Sequence, residues 1–305
     1  AEQKESEDYI DHLAATIEDE LGGLRILVDC ANGAASTTAR RLFDRFPGLH
    51  TDIMNADPDG VNINAGCGST HMEGLKAMVK AGSYDLGLAF DGDAERIAAL
   101  RQQEELDAIR PDLDGDQIMA VCGLDMKARG KLSGNAIVAT VMSNLGLHVF
   151  AREHEIELLC TDVGDRNVLE KMLERGHVIG GEQSGHMIFL DHATTGDGQL
   201  AALQFLQLLH RSGKTASQLV SSCRRYPQIL INIPVADSSQ KTAIMAWEGL
   251  WEAVRAEEAA LAGSGRILVR PSGTEALIRV MAEAKTEEAA RGTAEKLANV
   301  IKKYH

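Results

Sequence analysis

The chain has no uninterrupted apolar run near the ~18–20 residues a membrane-crossing helix needs, which argues against membrane insertion. Its opening residues, Ala1 to Asp8, are charged and polar, unlike the basic-then-apolar start of a signal peptide. Positive charge is scarce: 31 Lys and Arg stand against 45 Asp and Glu, a formal charge of −14. An acidic surface repels phosphate backbones and so argues against nucleic acid as a partner, while leaving room for a local basic pocket that takes one small phosphate. The five cysteines (Cys30, Cys67, Cys122, Cys160 and Cys223) are odd in number and lack C-x-x-C spacing, the pattern of free thiols in a reducing cytoplasm. Several catalytic signatures are missing as well. No glycine precedes Ser184 by two residues, so there is no nucleophile elbow. His154-Glu155 has no second histidine at helical spacing, so there is no zincin motif, and no P-loop occurs.

What is present reads as a soluble globular protein: 44% of the 305 residues are hydrophobic and 25% charged. At ~100–200 residues per domain the length suggests two large domains or three small ones. Residues 24–30 are apolar and β-branched, Asn32-Gly33 signals a turn, and 34–46 reads as a helix. A helix over 72–81 and a buried strand over 85–90 follow. A second series has helices over 116–129, 144–153 and 165–174, alternating with strands over 136–142, 157–160 and about 177–179. Such alternation predicts parallel α/β layers, and the similar length of the two series suggests two copies of one unit. After Arg211-Ser212-Gly213 the style changes. A strand over 228–233, one long amphipathic helix over 240–261 carrying Trp247 and Trp251, strands over 266–269 and 276–281, and a helix over 286–302 form an α+β unit. The two tryptophans read as core packing at helical spacing. The expected fold class is thus α/β: two related α/β domains, 8–111 and 112–223, followed by a smaller α+β domain, 224–305.

Three segments carry candidate chemistry. In Asp91-Gly92-Asp93-Ala94-Glu95-Arg96, carboxylates two residues apart on extended backbone point the same way. Three hard oxygens at that spacing suit Mg²⁺ and sit at a strand end, where α/β ligands bind; a solvated acidic turn is the bland alternative. In Arg270-Pro271-Ser272-Gly273-Thr274-Glu275, with Arg279 beyond, hydroxyls, backbone N–H groups and arginines can cradle a phosphate, although an ordinary hairpin turn explains the Pro-Ser-Gly equally well. In Gly180-Gly181-Glu182-Gln183-Ser184-Gly185-His186, glycines let Glu182 and Ser184 approach vicinal sugar hydroxyls; His186, like His71, His154 and His192, is by itself more often structural. The loop Thr161 to Arg166 reads as a helix cap with an arginine able to reach an anion.

Taken together these segments resemble the α-D-phosphohexomutase superfamily, in its hexosamine-phosphate branch. The resemblance rests on VDCANGAAS (28–36), PDGVNINAGCGSTH (58–71), DLGLAFDGDAER (85–96), DGDQIM (114–119), TVMSNLGL (140–147), VGDRNV (163–168), GGEQSGHMIFLDHATTGDG (180–198) and GRILVRPSGTEALIRVMAEAKT (265–286). It implies a Mg²⁺-dependent isomerase that interconverts glucosamine 6-phosphate and glucosamine 1-phosphate through a phosphoserine and a 1,6-bisphosphate, on the route to UDP-N-acetylglucosamine and peptidoglycan. It assigns Asp91, Asp93 and Glu95 to the metal and Arg96 to the catalytic end of that loop. It gives Glu182 and Ser184 to the sugar hydroxyls, and Arg270, Ser272, Gly273, Thr274 and Arg279 to the phosphate. Ala94, Glu95 and Ala276 depart from the usual Gly, Asp and Pro. The Ser-His-Asn-type loop that carries the phosphoserine does not occur among these residues, so the chain is expected to be domains two to four without the first and inactive alone. The resemblance also implies a homodimer of the full-length protein and a diadenylate cyclase partner. Glucose or mannose phosphates as substrates, or a non-catalytic binding module, are the alternatives.

Overall fold

The computed structural model describes residues 2–100 and 112–304; the expected boundary near 111 lies outside them. Two compact units are present. One runs to Arg224, and the other takes Arg225 onward together with the tripeptide Asn144–Gly146.

The larger unit contains α1 (Glu2–Ala15), β1 (Arg25–Asp29), α2 (Ala39–Phe43), β2 (His50–Met54), α3 (Glu73–Ala81), β3 (Leu86–Phe90), β4 (Ile97–Leu100) and β5 (Asp112–Leu113). Then come α4 (Gly115–Ala128), β6 (Ala136–Thr140), α5 (Leu145–Glu153), β7 (Glu157–Thr161), α6 (Asp165–Arg175), β8 (Ile179–Gly181), β9 (Met187–Phe189), α7 (Gly198–Ser212) and α8 (Ala216–Val220). The first sheet has the order β2-β1-β3-β4-β5 and the second β7-β6-β8-β9. In each, a central strand pairs in parallel with two neighbours, and the third strand then pairs antiparallel with the fourth. The same helix-strand sequence thus gives the same strand order twice, in line with the two-copy expectation. The central strands β3 (LGLAF) and β6 (AIVAT) are buried at every residue, as strands covered on both faces must be. One apolar core containing Ile26, Phe90, Ile137, Phe150 and Phe205 underlies both sheets. Helix α7 joins them: it lies against β3 and β4 of one sheet and β9 of the other. Its Leu200, Leu203, Phe205 and Leu206 are fully buried, each contributing about 2 kcal/mol.

Some expected elements are corrected. Residues 34–46 form a 3₁₀ turn, Ala34–Thr37, and the short α2 rather than one helix. Thr38, at φ −116°, breaks the run and exchanges hydrogen bonds with Gln199. The edge strand β2 and the inner strand β4 were not expected, and neither was α7.

The smaller unit holds β10 (Gln228–Pro234), α9 (Ser238–Ala246), α10 (Glu248–Leu261), β11 (Gly265–Pro271), β12 (Leu277–Ala284) and α11 (Glu287–Lys302). Its antiparallel sheet has the order β10-β12-β11, over a core of Ile233, Val254, Ile278, Val280, Leu297 and Ile301. The single long helix expected over 240–261 is two. Trp247 has extended backbone, φ −76° and ψ 117°, and separates α9 from α10. Its indole lies over Gly249, where a Cβ would come within 2.5 Å of the ring. Trp247 and Trp251 both pack on the core, as expected. Among the described residues no helix is long and apolar enough to cross a membrane.

Candidate functional site

The acidic loop begins where β3 ends. Asp91 accepts the Arg96 N–H through Oδ1 at 2.9 Å, and its backbone carbonyl accepts the Ala94 N–H at 3.0 Å. These bonds fold 91–96 into a tight turn and put Ala94 at φ +62°, a left-handed conformation that costs a non-glycine residue about 1 kcal/mol. The Asn32-Gly33 turn supports this loop from behind: the Ala34 N–H donates to the Gly92 carbonyl at 2.8 Å. A Cβ on Gly33 would meet that carbonyl at 2.1 Å, so glycine is obligatory there.

The second loop is the β8–β9 turn. The Gly185 N–H bonds to the Glu182 carbonyl at 3.0 Å, and Glu182 N–H to the His186 carbonyl at 2.9 Å. Glu182 Oε1 accepts the Gly164 N–H at 3.0 Å, while Oε2 accepts from the Ser184 hydroxyl at 3.4 Å. Gln183 donates from Nε2 to Asp114 Oδ2 at 3.2 Å, which steadies the loop on the start of α4.

The fold brings these two loops together. Arg96 and His186 form an antiparallel bridge, and the Ile97 N–H donates to the Gly185 carbonyl at 3.1 Å. Gly185 sits at φ +97°, and a Cβ on it would meet the Ile97 carbonyl oxygen at 2.1 Å. From the other side, the Gly198 N–H at the start of α7 donates to the Ala94 carbonyl at 2.8 Å. Asp91, Asp93, Glu95 and Arg96 therefore share one surface with Glu182 and Ser184.

The three carboxylates are placed differently. Burial pushes the Asp91 carboxyl above the ordinary range; the Arg96 N–H offsets this in part, and the Asp93 carboxylate, within hydrogen-bonding reach, adds to it. Two crowded carboxyls of this kind are a hard-oxygen donor pair suited to a small divalent cation. Glu95 turns the other way, toward Nδ1 of the buried His186 at 3.5 Å. Among the described residues no three His, Cys, Asp or Glu side chains are gathered as a metal-ligand set, so two of the expected three donors converge. Arg96 is half-exposed, its Nε 3.7 Å from Asp91 Oδ2. Arg166 pairs with Glu170 at 2.7 Å on exposed surface rather than lining the loop.

The third segment lies in the smaller unit, in the β11–β12 turn. Arg270 and Arg279 stand directly opposite each other in the ladder, an arrangement of like charges that destabilises a sheet unless an anion sits nearby. Arg279 also pairs with Glu275 at 2.9 Å. Ser272 is buried, and its hydroxyl accepts the Glu275 N–H at 3.2 Å. Gly273 has open space where a Cβ would be, and Thr274 is exposed. One contributor escaped the sequence reading: Lys241 on α9 donates to the Ser272 and Glu275 carbonyls at 2.7 and 3.2 Å, bringing a third cation to the turn. Nothing in the local sequence marks it, since the partners lie more than 30 residues away.

Family profiles described as phosphoglucomutase/phosphomannomutase domain II, domain III and C-terminal domain match residues 7–104, 114–226 and 230–300. Phosphoglucosamine mutases of Desulforudis audaxviator and Saccharopolyspora erythraea are each 48% identical to the chain, over 97% and 96% of it. The chain spans 63% and 64% of those relatives' lengths. Among solved structures, an Aspergillus fumigatus N-acetylphosphoglucosamine mutase bound to GlcNAc-6P and magnesium aligns with a TM-score of 0.78 at 21% identity, covering 96% of this chain and 68% of that one. A Thermus thermophilus protein described as a phosphomannomutase aligns at 0.72 and 16% identity, covering 97% and 66%; at such identities the likeness concerns the fold. The chain belongs to the phosphoglucomutase/phosphomannomutase family of α-D-phosphohexomutases, of which it carries domains II, III and the C-terminal domain.

Proposed function

We propose that these residues bind the metal, sugar and phosphate for a phosphohexomutase that interconverts glucosamine 6-phosphate and glucosamine 1-phosphate. The observation that carries the reading is the bonded pair of loops, with Arg96 bridged to His186 and Ile97 to Gly185. That pairing holds an acidic strand end against a carboxylate–hydroxyl pair. Glu182, fixed at one oxygen by the Gly164 N–H, offers its other oxygen with Ser184 to two neighbouring sugar hydroxyls. Arg270, Arg279 and the Lys241-held turn receive the phosphate that is not being transferred. Asp91 and Asp93, with Glu95 on release from His186, hold Mg²⁺, which when bound neutralises charge on the phosphoryl group in transfer. Arg96 adds positive charge at the same strand end.

The hexosamine preference is supported by relatives named phosphoglucosamine mutase at 48% identity. Five scattered cysteines without C-x-x-C spacing, four of them buried, support a reducing cytoplasm. A phosphoryl-carrying Ser-His-Asn loop is not among the 305 residues, so binding without turnover is expected of them alone. Calorimetric titration with glucosamine 1-phosphate, with and without Mg²⁺, tests the binding, and a Glu182→Gln variant should bind about tenfold more weakly. Conversion of glucosamine 1-phosphate primed with the 1,6-bisphosphate tests the rest; robust turnover by the pure chain would refute it.

A further inference from the structure

The loops just described lie at the Gly181 end of β8 and the Met187 end of β9. At the other end of these strands, near Val178 and Phe189, the larger unit encloses a separate cavity of about 320 Å³ between α4, α7 and the segment after α1. That volume is at the small end of ligand pockets, and the lining has the usual make-up of such a pocket: an apolar floor with a few fixed polar groups.

The lining has apolar Met126, Val178, Phe189 and Leu208 and, besides charged groups toward its mouth, the two amides Gln204 and Gln207. Neighbouring bonds fix which end of each amide faces inward. Gln207 Oε1 accepts the backbone N–H groups of Glu18 at 2.6 Å and Asp19 at 3.2 Å. Only a carbonyl oxygen can accept both, so the NH₂ group is the end left for the cavity. Gln204 Nε2 donates to the Thr16 hydroxyl at 3.0 Å, leaving its carbonyl oxygen as an acceptor. The two residues are three apart on α7 and therefore neighbours on one helix face. A donor and an acceptor thus neighbour each other in a lining that also holds an aromatic ring and aliphatic side chains.

The cations at the mouth are paired. Lys131 pairs with Glu18 at 2.6 Å, and Arg129 with Asp125 at 2.8 Å. Burial lowers the His192 pKa, which disfavours a cation there, and Asp191 lies beside it in the lining. Three lining carboxylates, Glu18, Asp125 and Asp191, thus face two lining cations, Arg129 and Lys131, a balance that disfavours an anionic ligand such as a phosphate.

We propose that this cavity binds an uncharged flat ring bearing a lactam edge, a C=O beside an N–H. The C=O accepts from Gln207, the N–H donates to Gln204, and the ring face rests on Phe189.

Uracil is the probe, titrated into the whole 305-residue chain and read by saturation-transfer NMR and by the side-chain amide resonances of Gln204 and Gln207. 1,3-Dimethyluracil keeps the ring and removes the N–H groups. Uracil should bind and shift both amide resonances, and the dimethyl compound should bind about tenfold more weakly, as expected when buried hydrogen bonds are lost. Gln204→Met, which keeps the length and removes the acceptor, should weaken uracil to a similar degree and leave glucosamine 1-phosphate binding unchanged. Absence of uracil binding to folded protein at millimolar concentration would overturn the proposal. So would equal affinity for the two compounds, or indifference to Gln204→Met.

Discussion

The contact between the acidic loop and the β8–β9 turn can be broken by a single methyl group. In Gly185→Ala, the new Cβ would lie 2.1 Å from the Ile97 carbonyl oxygen, on a backbone at φ +97°. The positive φ costs an L-residue about 1–2 kcal/mol. Relieving the clash needs a shift of about 1 Å, enough to lose the Ile97 N–H bond to the Gly185 carbonyl, now 3.1 Å, for about 1 kcal/mol more. A total of about 2–3 kcal/mol corresponds to a rise in local opening of up to roughly a hundredfold, at 1.4 kcal/mol per decade. Native-state hydrogen exchange of the Ile97 amide reads this directly. Its protection should fall by up to about a hundredfold, while amides of α11 in the smaller unit stay unchanged. Glucosamine 1-phosphate affinity should fall with it. Exchange at Ile97 within a factor of two of the parent would show that the two loops do not depend on this contact.

Three further outcomes follow from the same geometry. Glu283 is fully buried and accepts from Arg266 Nε at 2.9 Å, Asn144 Nδ2 at 2.9 Å and the Leu145 N–H at 3.0 Å; Glu283→Gln should destabilise the smaller unit by about 3 kcal/mol, measured by urea unfolding followed through Trp247 and Trp251 fluorescence. Burial raises the Asp197 pKa despite bonds from the Leu200 N–H and the Tyr9 hydroxyl. A raised acid stabilises the fold below its unfolded pKa, about 3.9, and loses that contribution as pH rises through the folded value. Asp197→Asn should therefore gain stability relative to the parent between pH 4 and pH 7, and a melting-temperature difference independent of pH would contradict this. Lys241→Met removes two charge-assisted bonds to the β11–β12 turn and, on the proposed function, should weaken glucosamine 1-phosphate binding about tenfold, read by calorimetry.

The parallel α/β layers were legible because their central strands, LGLAF and AIVAT, are buried on both faces and read as plain apolar runs. Strand β2, HTDIM, was not: it lies at a sheet edge, has no fully buried residue, and shows no alternation. β4 is four residues long, too short for a periodic signal. The break at Trp247 carries no proline, and its one clue is Gly249, whose missing side chain admits the indole. In the candidate site, the loops were readable from their carboxylate spacing and glycines. The turning of Glu95 toward His186 was not, because it depends on a pairing across some 90 residues that only the assembled sheets create. Lys241 was hidden for the same reason.

We propose that this chain holds a metal and a phosphosugar through its own residues. Calorimetric titration of the 305-residue chain with Mg²⁺, then with glucosamine 1-phosphate, tests it most directly. Each should bind, Mg²⁺ binding should be lost in Asp91→Asn, and sugar-phosphate binding should weaken about tenfold in Glu182→Gln. Binding of neither ligand by the folded chain would contradict the proposal and would favour a role in protein interaction alone.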